Sequence, residues 1–144
     1  MEDMELSQAA QDLRDSIVSD LRSGVVILKD GLPFGSGDDV QMQHDVKLRE
    51  LTAGDLIDAQ VAAEKVVMTK EGPVLVSSPS LMGLEMLRRQ VGSVGCINGP
   101  LSMTMIRKLS TDDFQRLSLA TELRDMAVAA SLTQERGRVA AVPE

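Results

Sequence analysis

An α+β fold, mainly helical, is what this sequence predicts, with an N-terminal helix, a β-hairpin and three to four further helices. Three observations carry that expectation. Apolar residues make up 43% and charged residues 26% of the 144 positions, the balance of a globular chain with one compact core. Thr52, Ser78 and Ser110 each stand immediately before a segment with apolar residues at helical spacing, where a hydroxyl can cap the free amides of a first turn. Two β-branched or alternating runs flank a stretch rich in Gly and Asp, which is the pattern of a hairpin.

Taken in order, residues 1–23 form an amphipathic helix, with Leu13, Ile17, Val18 and Leu21 on its apolar side and Gly24 as its stop. Val25 to Lys29 is a first strand and Val40 to Leu51 a second, in which Val40, Met42, His44, Val46, Leu48 and Glu50 share one parity. Asp30 to Asp39 is the long turn between them. A helix starts at Thr52, with Asp55 in a capping-box position, and continues through LIDAQVAAEKV to the breaker Lys70-Glu71-Gly72-Pro73. VLVSS reads as a short strand or an extended connector.

Ser78 and Pro79 open a third helix with Leu84, Leu87 and Val91 as its stripe, and Gly92, Gly95 and Gly99-Pro100 then break the chain. A short helical face follows from Pro100 to Lys108. Ser110 with Asp113 caps the last helix, in which Phe114, Leu117, Leu119, Leu123 and Met126 are apolar. The expected organisation is a single α+β domain over 1–136, divided into the N-terminal helix 1–23, the hairpin 25–51 and a helical part 52–136, with a flexible tail over 137–144.

Composition narrows the function. Fifteen basic and twenty-two acidic residues give a formal charge of -7, a field that repels phosphate backbones and anionic lipid surfaces. Two Phe, no Tyr and no Trp leave little to stack on bases. The acidic N-terminus lacks the basic start and apolar run of a signal peptide, and no apolar stretch approaches the ~20 residues that span a bilayer. No nucleic-acid partner and no membrane partner are expected. One Cys and one His exclude an internal disulfide and a conventional zinc site, and they point to a reducing cytoplasm.

Candidate chemistry dissolves under inspection. His44 and Asp45 are neighbours in a strand and point to opposite faces, so they cannot form the orienting bond of a triad, and His44 reads as structural. Cys96 reads as a buried, inert thiol. Gly35-Ser36-Gly37 lacks the Lys and helix start of a phosphate loop, and Asp38-Asp39 lacks the ligand spacing of a calcium loop. Asp112-Asp113 is explained by its place in a first helical turn. No catalytic residue, metal ligand or cofactor is expected, and the chain reads as a non-enzyme.

Met is abundant, with nine residues. Met82 and Met86 stand four apart on one helix and Met103 and Met105 flank the next, so with Ile106 they are the candidates for a pliable partner-binding surface. Ordinary core packing is the simpler account of these Met residues, and Leu48 and Leu51 are the core alternatives.

Three phrases in this order have a family likeness: Leu48-Arg49-Glu50-Leu51, Thr52-Ala53-Gly54-Asp55, and Leu109 through Asp113-Phe114. Over about residues 40–125 the chain resembles the tail assembly chaperones of Mu-like and P2-like long-tailed phages. In that family a strand ends in an LREL-like phrase, a capped helix follows, and a later short helix leads to the Asp-Phe phrase. The long N-terminal helix departs from the simplest members.

The resemblance implies a non-enzymatic role: binding the long, helical, aggregation-prone tape measure protein and helping tail tube protein subunits polymerise around it, in the host cytoplasm and outside the mature virion. It also implies a second, longer form made by ribosomal frameshifting in many members. A homo-oligomer is compatible with such a role. Two other classes compete: a structural tail or baseplate component kept in the virion, and a small DNA-binding regulator using the Pro100–Lys108 and Ser110 helices with Arg116 and Arg124.

Overall fold

The computed structural model describes the backbone of residues 2–141 and the side chains of residues 7–130. Helix α1 (Glu2–Ser23) leads through Gly24, at φ 87, into β1 (Val26–Phe34), a 3-10 turn (Gly37–Asp39) and β2 (Gln41–Leu48). Next come α2 (Ala53–Ala62), β3 (Glu64–Thr69), β4 (Gly72–Ser77), α3 (Pro79–Gln90), β5 (Val91–Val94) and β6 (Ile97–Asn98). Short α4 (Met103–Lys108) and long α5 (Thr111–Ala141) complete the order.

The class is α+β, but the mainly helical chain with one hairpin is corrected to five helices and two antiparallel sheets among the described residues. One sheet has four strands in the order β1-β2-β5-β6 and the other is the β3-β4 hairpin. Both omissions have physical reasons. Glu64 to Val67 prolongs the apolar spacing of α2, yet α2 closes at Ala62 and the β-branched Val66-Val67 pairs with Leu75 and Val74 across the Lys70-Glu71 turn. Val91 to Val94 is too short to declare itself a strand; β2 supplies its ladder, pairing Val46 with Val94 and Leu48 with Val91. Where a flexible tail is expected from residue 137 onward, α5 continues to Ala141; residues 142–144 lie outside the described residues.

The four-stranded sheet is covered on one face. Val26, Leu28, Leu32, Val46, Val91, Val94 and Ile97 meet Ile17 of α1, Leu87 of α3, Ile106 of α4 and Leu117, Ala120 and Leu123 of α5 in one cluster. On the opposite face Ile27, Asp45 and Lys47 are exposed, so the sheet is half-solvated as antiparallel sheets allow. Strand β1 changes register between Ile27 and Leu32, and the bulge is where Gly31 adopts φ 85 with the Gln43 carbonyl oxygen 2.8 Å from where a Cβ would lie.

Asp113 locks α5 to that bulge. Its side chain is fully buried and accepts from the amides of Lys29 at 2.7 Å, Asp30 at 3.0 Å and Gly31 at 2.9 Å. The Ser110 hydroxyl caps the helix by accepting from the Asp113 amide at 3.2 Å, while the Asp113 carboxylate serves the sheet instead of returning to the cap. Asp20 makes a parallel joint, accepting from the Ile27 amide and from Arg116, so α1, β1 and α5 meet there.

Candidate interaction surfaces

Helix α5 spans 31 residues, about 46 Å at the α-helical rise, whereas among its described side chains the last buried one is Leu123. Arg124 is half-buried and Asp125 to Ala130 are exposed, so the helix overhangs the sheet with Met126 and Val128 uncovered. Between this overhang and the end of α1 lies an open groove of about 710 Å³. Val18 and Leu21 wall one side, Leu123, Ala127 and Val128 the other, with Val26 and Leu48 at the sheet; Arg22 and Arg124 also line it. Its shape follows from chain length: α1 stops at Gly24 and α5 does not stop with it.

A second cleft of about 440 Å³ continues past Arg124 and Val128, which line both, to Leu51, Leu56 and Met86. Arg49 organises this end. Its guanidinium donates two bonds of 3.0 Å to the two carboxylate oxygens of Asp55, and its backbone oxygen accepts from Arg124 at 2.8 Å. The Arg49 bonds, then those from Thr52, hold the Asp55 carboxyl well below the usual carboxylate range, and the same pairing raises Arg49. Thr52 and Asp55 form both halves of a capping box at the start of α2. On α3, burial pushes the Glu85 carboxyl up, but bonds from Arg89 and Arg88 outweigh it and leave it lowered. Arg88 also reaches the Leu101 oxygen, so this trio, with Glu85 buried and both arginines half-buried, ties α3 to the segment before α4.

The third surface is the β3-β4 hairpin with the outer side of α2. Every residue of β3 is exposed, and in β4 all but Gly72 are. Val66 and Leu75 are uncovered to 68% and 61%, and Met68 to 75%, while Ile57 and Val61 on α2 stand out similarly. α2 reaches the body through buried Ala59 and Ala63 on the side of α3.

The five residues expected to contact a partner do not share one patch. Met86 is half-buried in the second cleft; Met82 and Met103 are half-buried elsewhere on α3 and α4; Met105 packs on the core and Ile106, at 5% exposure, is part of it. Leu48 lines the groove and Leu51 the second cleft. His44 sits in the β1-β2 ladder, where its Nδ1 lies 2.8 Å from the Leu28 oxygen. Cys96 is corrected from buried to exposed, because it sits in the tight turn between β5 and β6, where its amide donates to Gln43 Oε1 at 3.2 Å. The groove escaped sequence reading because it is made by separate elements, and the hairpin because its first strand hides inside a helical pattern, although VLVSS reads as a short strand or connector and is part of β4. Among the described residues no cluster of acidic, His or Cys side chains is placed to hold a metal ion, and no helix is long and apolar enough to cross a membrane.

The described residues form a small α+β body with two open clefts and an uncovered apolar hairpin. The chain belongs to the tail assembly protein gp41 family of phage Mu, which matches residues 28–138 and so leaves α1 outside the match. It is 77% identical, over all 144 residues of both chains, to the probable tail assembly protein gp41 of Escherichia phage Mu. It is 76% identical over 137 residues, 95% of this chain and 73% of the other, to the probable tail assembly protein FS-gp41 of the same phage. The Mu-like prophage FluMu protein gp41 of Haemophilus influenzae is 49% identical over 115 residues, 79% of this chain and 87% of that one. No solved structure matches. The role in phage tail assembly follows from the family.

Proposed function

We propose that the chain is a tail assembly chaperone that binds an amphipathic helix of the tape measure protein in the groove between α1 and α5, keeping that client soluble until tail tube subunits assemble around it. The observation that supports this reading is the open groove itself. It offers Leu21, Leu48, Leu123 and Val128 to one apolar stripe, the geometry of helix-in-groove recognition, and Met86 at its continuation can repack around differing side chains. The formal charge of -7 keeps a complex with an apolar client dispersed. The holding step needs no catalysis, and it belongs in the host cytoplasm before the virion is complete.

Val128 is 49% exposed, so Val128→Asp places a charge in the groove without opening the core. Co-expressed with the tape measure protein, Val128→Asp and Ala127→Asp are expected to lower its recovery with the chain by about tenfold or more while the melting temperature stays within a few degrees. Undiminished recovery with both variants contradicts the groove as the client site. The DNA-regulator reading fares worse on its own residues: Arg116 is bound to Asp20 and Ser16, and Arg124 to the Arg49 oxygen.

A further inference from the structure

We infer that two copies of this chain join through the free edge of β3, making one sheet in the order β4-β3-β3-β4. The ladder identifies the free amides. Ser78 donates to the Ala63 oxygen at 3.0 Å, so the alternation of an antiparallel pair directs the backbone bonds of Lys65, Val67 and Thr69 towards β4 and those of Glu64, Val66 and Met68 outward. Pro73, opposite Met68, has no amide on the outer edge of β4, which interrupts that edge and leaves β3 as the intact template.

The second copy is favoured over another chain by charge. An antiparallel β3-β3 pair can bond only outward-facing residues to outward-facing residues, which allows registers two residues apart; the one taken here, for its charges, sets Val66 of one copy opposite Met68 of the other and Val67 against its own equivalent. That register sets Glu64 beside Lys70 and places Lys65 diagonal to Glu71 of the second copy, opposite charges at both ends. A one-residue slip would set Glu64 against Glu71 and Lys65 against Lys70, and the amide parity forbids it. Residues 64–77 carry two Lys and two Glu, a neutral stretch on which two chains of charge -7 can approach. Val66, Met68 and Leu75 are each more than half exposed, apolar surface of the hairpin that pairing would partly cover. An isolated two-stranded hairpin is marginal in water, and a four-stranded one is not.

The test is the mass of the full chain by light scattering and sedimentation, without client. The expected result is a species of twice 15.5 kDa, weakened about tenfold or more by Val66→Lys and by Lys70→Glu, with pairing recovered in the double variant Glu64→Lys with Lys70→Glu. These positions are exposed, and an unchanged circular dichroism spectrum separates lost pairing from lost folding. A chain monomeric throughout the accessible concentration range overturns the inference, as does a dimer indifferent to all three variants. A monomer whose capture of the tape measure protein falls with Val66→Lys assigns the edge to the client and overturns the self-pairing, leaving the groove variants to be judged separately.

Discussion

The carboxylate of Asp113 accepts from three consecutive amides of the β1 bulge, in a position that solvent does not reach. Asp113→Ala removes the acceptor and leaves those donors unsatisfied, and a loss of about 3 kcal/mol or more is expected in urea unfolding. Asp113→Asn, which keeps the shape and one acceptor oxygen, should lose less; equal stability of all three forms would refute the lock. Half of this joint is visible in the sequence. Ser110 and Asp113 are three apart and their capping geometry is local, but the amides that claim the carboxylate are more than eighty residues away in the chain. No spacing rule reaches that far.

At the scale of elements, α2 and its hairpin hang from the body by a short set of contacts: Arg49 to Asp55, Arg124 to the Arg49 oxygen, and the Ala59 and Ala63 packing towards α3. Asp55 is the titrating member. Its folded pKa is depressed, so its contribution to stability is complete above the ordinary value of 3.8 and is lost as pH falls below it. The difference in melting temperature between the wild type and Asp55→Asn should therefore be present at about pH 6 and shrink towards about pH 2.5. A difference that is constant across that range contradicts the pairing. Arg49→Lys should reproduce much of the loss, since an ammonium cannot make the two-pronged bond.

The start of α2 was legible because Thr52 and Asp55 are a local signal, and the β1-β2 hairpin because its two runs are long. The end of α2 was not: Glu64 to Val67 suits either a helix or a strand, and pairing with Val74 to Ser77 decides it. The strand β5 was obscured by Gly92 and Gly95, residues that read as breakers; their conformations instead serve close passage over β2 and the turn into β6.

For the molecule as a whole, the arrangement separates what holds the fold from what faces outward. The core is aliphatic, carried by Leu, Val and Ile, and all the described Met are at least partly exposed or packed at its margin. The candidate partner residues read from the sequence were chosen for Met content, which identifies adaptable side chains but not which of them surround a cavity. Of those four Met, Met86 lines the groove's continuation. Leu21, Leu48, Leu123 and Val128 come from α1, β2 and α5, and only folding brings them together. The family likeness, by contrast, was readable because it rests on short phrases whose order survives in the chain.

The most direct test of the chaperone account is co-expression of the full chain with the tape measure protein of the same genome, comparing client solubility and co-purification with and without the chain. The account predicts a client that is insoluble alone, soluble with the chain and recovered bound to it, and a chain absent from purified virions by mass spectrometry. A client equally insoluble in both conditions, together with a chain found in finished particles, would contradict it and mark the protein as a structural part of the tail.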